Sequence, residues 1–189
     1  DRWSGHLGAS LLAESAPTGQ ASVHIDLGGD DRYTTDDAAA IATGLFGIGI
    51  VVDGAGDDAY EAPASNLGCG LYGTGLLMDL AGNDTYRSKG PWGQGSGHVG
   101  VGALVDLAGN DACESNEPSP GLGRTLGAGL LIDLAGNDSY VARDDGAVSE
   151  LYKNQSVAMA QGCGFGRRAD LGDGQSLAGG VGVLVDGAG

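Results

Sequence analysis

The sequence predicts an all-β fold, a parallel β-solenoid (β-helix) of about 26–27-residue coils, and three observations point there. An acidic phrase returns five times, at Asp26–Asp31, Asp53–Asp58, Asp79–Asp84, Asp106–Asp111 and Asp133–Asp138, its first Asp recurring after 27, 26, 27 and 27 residues. A short apolar run precedes the later copies, as in Leu76-Leu77-Met78 and Leu130-Leu131-Ile132. The composition is poor in bulk: 38 of 189 residues are glycine and 5% are aromatic, which excludes a thick globular core. A fixed period of this length marks stacked repeats, each coil burying its apolar face only against its neighbours.

The elements of one coil follow from its residue pattern. In the third copy Gly73 to Asp79 reads as a strand, Leu80 to Asp84 as a turn, Thr85 to Arg87 as a second short strand, and Ser88 to Gly97 as a polar return. Alternation puts Leu76 and Met78 on one face with Thr74, and Leu77 on the other with Gly75 and Asp79. Both faces are apolar at mid-strand, so one is expected to line the interior and the other to meet a second layer or a partner. Glycines recur at 47, 73, 100, 127 and 180, and again two residues later, making stripes that another backbone can approach closely. Tyr33, Tyr60, Tyr86 and Tyr140 form one column, with Cys113 standing where a fifth ring belongs, and the column is read as packing.

The chain reads as a single repeat domain, 1–189, with regular coils over 21–140, an irregular insertion over 141–179 and a final partial coil over 180–189. From Asp133 to Asp186 is 53 residues with no clean motif midway, so either one coil has lost its turn or residues 141–162 loop out. Asp170 to Gly174 is a shortened relative of the motif, and Ala147 to Tyr152 suits a helical turn. Asp1-Arg2-Trp3 matches Asp31-Arg32-Tyr33, and Val185 to Gly189 stops inside the same phrase. The expectation is an excerpt of a longer solenoid, or subunits that abut end to end as a filament.

Lys and Arg number 9 against 25 Asp and Glu, a net charge of −16, which argues against nucleic acid and anionic membranes because both need a basic footprint. No stretch reaches the ~20 apolar residues of a membrane-spanning helix. Cys69, Cys113 and Cys163 are too few and too irregular for a disulfide framework; Cys69 and Cys163 share a Gly-Cys-Gly context and one column, several coils apart. All three are read as small packed residues.

About half of the acidic residues are locked to the repeat. Asp26, Asp53, Asp79, Asp106, Asp133 and Asp186 form one column and Asp31, Asp58, Asp84, Asp111 and Asp138 a second, with Asp30, Asp57, Asn83, Asn110 and Asn137 between them. Asp-x-x-Gly suits a tight turn in which the Asp accepts a backbone N–H. That reading leaves the second carboxylate unexplained. Stacked about 4.8 Å apart, two carboxylates repel by roughly 3.5 kcal/mol at an effective dielectric of 20, or about 1 kcal/mol in water. Lys and Arg are too rare near the turn to offset this, so a divalent cation with oxygen ligands is expected between coils. Calcium, with its 6–8 oxygens, is first choice and magnesium second. The middle column suits either a ligand role or an Asn hydrogen-bond ladder.

Gly82-Asn-Asp-Thr-Tyr86, Gly109-Asn-Asp-Ala-Cys113 and Gly136-Asn-Asp-Ser-Tyr140 resemble the latter half of the Gly-Gly-x-Gly-x-Asp-x-U-x repeat of calcium-binding repeats-in-toxin proteins. Gly82, Asp84 and Tyr86 match its glycine, aspartate and large residue; Asp79 and Leu80 replace its leading glycines, so the β-roll winding is not implied. The resemblance implies calcium and an extracellular or cell-surface setting.

Catalysis finds little support. His6, His24 and His98 are isolated in repeat segments, Gly95-Ser-Gly97 lacks the strand-turn-helix context of a nucleophile elbow, and the glycine runs precede strands rather than helices. The expected function is a calcium-stabilised, non-catalytic extracellular module, structural or adhesive, self-associating through its ends or an apolar outer face. The alternative is a β-helix that binds or cleaves polysaccharide, with Lys153, Arg167, Arg168 and an acidic pair lining a cleft.

Overall fold

A computed structural model describes residues 1–10, 19–116, 120–143, 161–166 and 179–188, and these wind as a parallel β-solenoid with no helix among them. β1 (Arg2–Ser4) ends one winding, and β2 (Ala21–Ile25) and β3 (Arg32–Thr34) belong to the next. Three coils of one plan follow: β4 (Gly44–Leu45), β5 (Ile48–Asp53) and β6 (Ala59–Ala62); β7 (Gly70–Leu71), β8 (Thr74–Asp79) and β9 (Thr85–Ser88); β10 (Gly97–His98), β11 (Val101–Asp106) and β12 (Ala112–Ser115). β13 (Ala128–Ala135), β14 (Ser139–Ala142) and β15 (Val181–Ala188) complete the order.

Three parallel sheets result. The long sheet runs β2-β5-β8-β11-β13-β15, the tyrosine sheet β1-β3-β6-β9-β12-β14, and the short sheet β4-β7-β10. Pairing is in register with the repeat: Asp53, Asp79, Asp106, Asp133 and Asp186 sit directly opposite one another along the long sheet.

The interior belongs to the face that carries Gly75, Leu77 and Asp79. Val51, Leu77, Leu104 and Leu131 are buried there in one column, facing the stacked rings of Tyr33, Tyr60 and Tyr86. Leu76 and Met78 face outward, and Ile48, Val101 and Val185 on that side stay exposed. The inward glycines set the thin cross-section: a Cβ on Gly75 would lie 2.1 Å from the Cys69 carbonyl oxygen, and one on Gly102 would lie 1.9 Å from that of Ser96. The short and long sheets are therefore in backbone contact. At the corner between them Phe46, Tyr72, Val99 and Leu126 adopt left-handed φ values of 53°, 52°, 48° and 53°, a conformation that nothing in these side chains advertises.

The long sheet also resolves the irregular stretch. β15 lies directly beside β13, and Gly164 bridges to Gly123, so the span from Asp133 to Asp186 advances the stack by one coil. The suggested helical turn at 147–152, the motif at 170–174 and the residues Lys153, Arg167 and Arg168 lie outside the described residues. Cys69 and Cys163 do occupy one column, separated by Ser96 and Leu122, and all three cysteines are free.

Gly102→Ala is expected to destabilise the fold by about 3 kcal/mol or more through forced separation of the sheets. Ala103→Val, outward on the same strand, should fall within about 0.5 kcal/mol of the parent. Urea unfolding of the two variants checks this.

Candidate metal centre

The strand-to-strand corner after β5, β8 and β11 brings two Asp columns into the interior beside the tyrosine sheet. Asp53, Asp79, Asp106 and Asp133 point inward because they continue the Gly75-Leu77 face, and they are at most 2% exposed. Asp31, Asp58, Asp84 and Asp111 enter just before the second strand and are at most 4% exposed.

The first column does make the turn contact its sequence suggests. One oxygen of Asp53, Asp79 and Asp106 accepts the N–H two residues on, from Ala55 at 3.3 Å, Ala81 at 3.3 Å and Ala108 at 3.1 Å. The other oxygen accepts a phenol from the preceding coil: Tyr33 to Asp53, Tyr60 to Asp79 at 2.8 Å, and Tyr86 to Asp106 at 2.6 Å. The tyrosines are thus donors as well as packing, a role the sequence reading did not assign. The fixed seven-residue spacing from Asp53, Asp79 and Asp133 to Tyr60, Tyr86 and Tyr140 keeps the two columns in step but does not show which Asp each phenol meets. Where Cys113 interrupts the ladder the pattern changes: Asp133 takes the phenol of Tyr140 from its own coil at 2.8 Å, and its Oδ1 has no partner.

The second column forms a ladder of its own. The N–H groups of Asp31, Asp58, Asp84 and Asp111 donate to Oδ1 of Asp58, Asp84, Asp111 and Asp138 on the next coil, at 2.6, 2.7, 2.6 and 2.8 Å. Oδ2 of Asp58, Asp84 and Asp111 is buried with no hydrogen-bond partner. The residues that carry these orphan oxygens lie beside first-column carboxylates. Among the described residues four triplets offer carboxylate oxygens mutually within 4.8 Å: Asp26, Asp31 and Asp53; Asp53, Asp58 and Asp79; Asp84, Asp106 and Asp111; Asp111, Asp133 and Asp138.

The middle column separates from this group. Asn83, Asn110 and Asn137 stand on the exposed edge, each donating its backbone N–H to the side-chain oxygen one coil back, at 2.9, 3.0 and 3.0 Å. Their amides repeat the contact, and Asp57 joins through its N–H to Asp30 at 3.0 Å. The hydrogen-bond ladder open to this column is formed. Asp186 is exposed beside Asn137 and Asp138.

Ion pairing by side chains occurs elsewhere. Arg32 and Lys89 engage Glu61, while Arg87 and Arg143 engage Glu114, on the outer side of the tyrosine sheet. Burial accordingly pushes the Asp carboxyls up: Asp84 to about 9, Asp58 and Asp111 to about 7, Asp79 and Asp133 to about 6, with neighbouring carboxylates adding to the rise. Two things can neutralise such a row, protons or a cation. The donor set fits a hard divalent ion: all-oxygen, anionic, buried and with unpartnered oxygens aimed inward.

Comparison of the chain with protein-family models, with curated proteins and with solved structures gives no match.

Each raised Asp holds its proton more tightly folded than unfolded, where the ordinary value is about 3.9. Its contribution to stability is complete below about pH 4 and is lost as pH rises through the folded values of about 6 to about 9. In chelator the melting temperature should fall between about pH 5 and about pH 9, and excess calcium should flatten that decline, read by thermal melts across a pH series. Cys113→Tyr should raise the melting temperature in the same assay, since a phenol there would restore the coil-to-coil donor that Tyr33, Tyr60 and Tyr86 supply to the next Asp.

Proposed function

We propose that this chain is a cation-stabilised solenoid, a non-catalytic structural or adhesive module in which calcium sits between coils against the two buried Asp columns. The observation that carries the reading is that Asp58, Asp84, Asp111 and Asp133 each bury an unpartnered oxygen and each belong to a triplet of carboxylates within 4.8 Å of one another. An unpaired charge in such a place is costly, and one ion per inter-coil step would offset several carboxylates at once. Asp26, Asp31, Asp53, Asp58, Asp79, Asp84, Asp106, Asp111, Asp133 and Asp138 would hold it. Calcium is preferred over magnesium because the oxygens are numerous and belong to a stacked backbone, not to a compact octahedral cage. An extracellular or cell-surface setting, where calcium is plentiful, accords with this and with the resemblance to repeats-in-toxin proteins.

The polysaccharide reading has weaker footing among the described residues. Sugars stack on open aromatic faces, yet Phe46 and Tyr72 stack on each other at 4.8 Å and 3°. Trp92 is likewise engaged, by His98 at 6.3 Å and by the Arg124 guanidinium at 4.8 Å.

Thermal melts at pH 7.5 with EDTA, then with calcium or magnesium restored, test the proposal alongside equilibrium dialysis for bound metal. The expected result is a melting temperature lowered by EDTA, recovered more fully by calcium than by magnesium, and several ions per chain. Asp84→Asn should abolish much of the calcium response while leaving the fold intact. A melt indifferent to chelator, with no metal retained on dialysis, would leave protonation as the only neutralising device.

A further inference from the structure

We infer that the outward face of the long sheet is an interface for a second copy of this chain, laid face to face with the solenoid axes parallel and the strands opposed. The face consists of alternate residues of β2, β5, β8, β11, β13 and β15, and it carries no Asp, Glu, Lys or Arg in a chain of net charge −16. Leu76, Met78, Leu130 and Ile132 lie at its centre, while Ile48 and Val101 are 45% and 42% exposed. A charge-free apolar sheet of six strands is as large as the largest patch a soluble monomer ordinarily leaves open, and such patches are often binding surfaces.

A second copy fits because the register is unbroken. Every strand presents its side chains at the same level, so both surfaces repeat at about 4.8 Å and can interdigitate along their whole length about 10 Å apart. The face measures about 25 Å by about 20 Å, about 500 Å² per copy, and a pair hides about 1,000 Å², the lower end for a specific contact. Charge selects the orientation. The edge beyond the C-terminal ends of the strands carries Asp30, Asp57 and the Asn ladder. A two-fold axis parallel to the solenoid axis puts those edges on opposite sides of the pair, about 20 Å apart and beyond the ~8 Å screening length. The other two-fold arrangement, with axes opposed, brings them together. In the favoured arrangement each coil meets the same coil of its partner. The interface uses none of the buried Asp residues and stands independently of cation binding.

Sedimentation velocity of the 189-residue chain, with calcium present, tests this. The expected result is a reversible dimer at about 0.1 mM, a monomer with unchanged circular dichroism for Leu130→Glu, and recovery of the dimer on mixing Leu130→Glu with Leu130→Lys. Ala103→Glu, on a smaller outward residue, repeats the test if Leu130→Glu fails to fold. A dimer untouched by both substitutions overturns the interface, and a mixture that stays monomeric overturns the parallel-axis arrangement. A parent chain that is monomeric at this concentration also overturns it. Flotation of that monomer with phosphatidylcholine vesicles would then identify a lipid surface as the occupant, and resistance of Met78 to peroxide without vesicles would identify cover by the chain itself.

Discussion

The structure depends on one constraint: parallel coils in register place each residue on its own counterpart, about 4.8 Å away. For aliphatic side chains this is favourable, and Val51, Leu77, Leu104 and Leu131 make a continuous buried column from it. For aromatic rings it enforces parallel stacking, as between Tyr33 and Tyr60 at 4.6 Å and 5°. The phenol-to-carboxylate bonds accompany that stacking and tie each coil to the next. For carboxylates the same rule is unfavourable, and the chemistry of the molecule is concentrated there.

Thinness follows from the same rule. A small cross-section cannot hold bulky side chains on every wall, so the short sheet meets the long one backbone to backbone over inward glycines such as Gly75 and Gly102. Little apolar volume remains to stabilise the fold. Coil-to-coil polar ladders therefore matter more here than in an ordinary domain, where side chain–side chain bonds are only about 10–15% of all hydrogen bonds. It is also why the apolar residues excluded from so narrow an interior, Leu76 and Leu130 among them, appear in number on the outside.

Much of this was legible in the sequence because a repeat reports its own register. The period gave the stacking, the alternation around Leu77 gave the faces, and the glycine stripes marked the close backbone approach. What could not be read was direction. Nothing in the sequence shows that the first Asp of each phrase turns inward to a tyrosine of the coil before, because that pairing spans 19 or 20 residues and depends on how the corner turns. The left-handed corners at Phe46 and Tyr72 were hidden for a related reason: the conformation is imposed by stacking and not by a glycine at the position. The irregular stretch could be settled only by β15 lying beside β13, since sequence spacing alone cannot tell a lost turn from an extruded loop.

The contrast between the three columns at the turn bears most directly on function. Asn carries a donor and an acceptor, so a stack of Asn residues satisfies itself, as Asn83, Asn110 and Asn137 do in the open. An ionised Asp accepts only, and a stack of them cannot. If the buried columns served the turn and the backbone ladder alone, Asn would accept the same N–H groups without charge and could donate to the oxygen above. Instead Asp occupies both buried columns in every regular coil, leaving one second-column oxygen of Asp58, Asp84 and Asp111 without a donor. Carboxyl groups stacked where charge is most costly must be neutralised, by protons or by a cation. Asp58, Asp84 and Asp111 each group with carboxylates of the neighbouring column, within 4.8 Å and across two coils, where a single ion could reach them together.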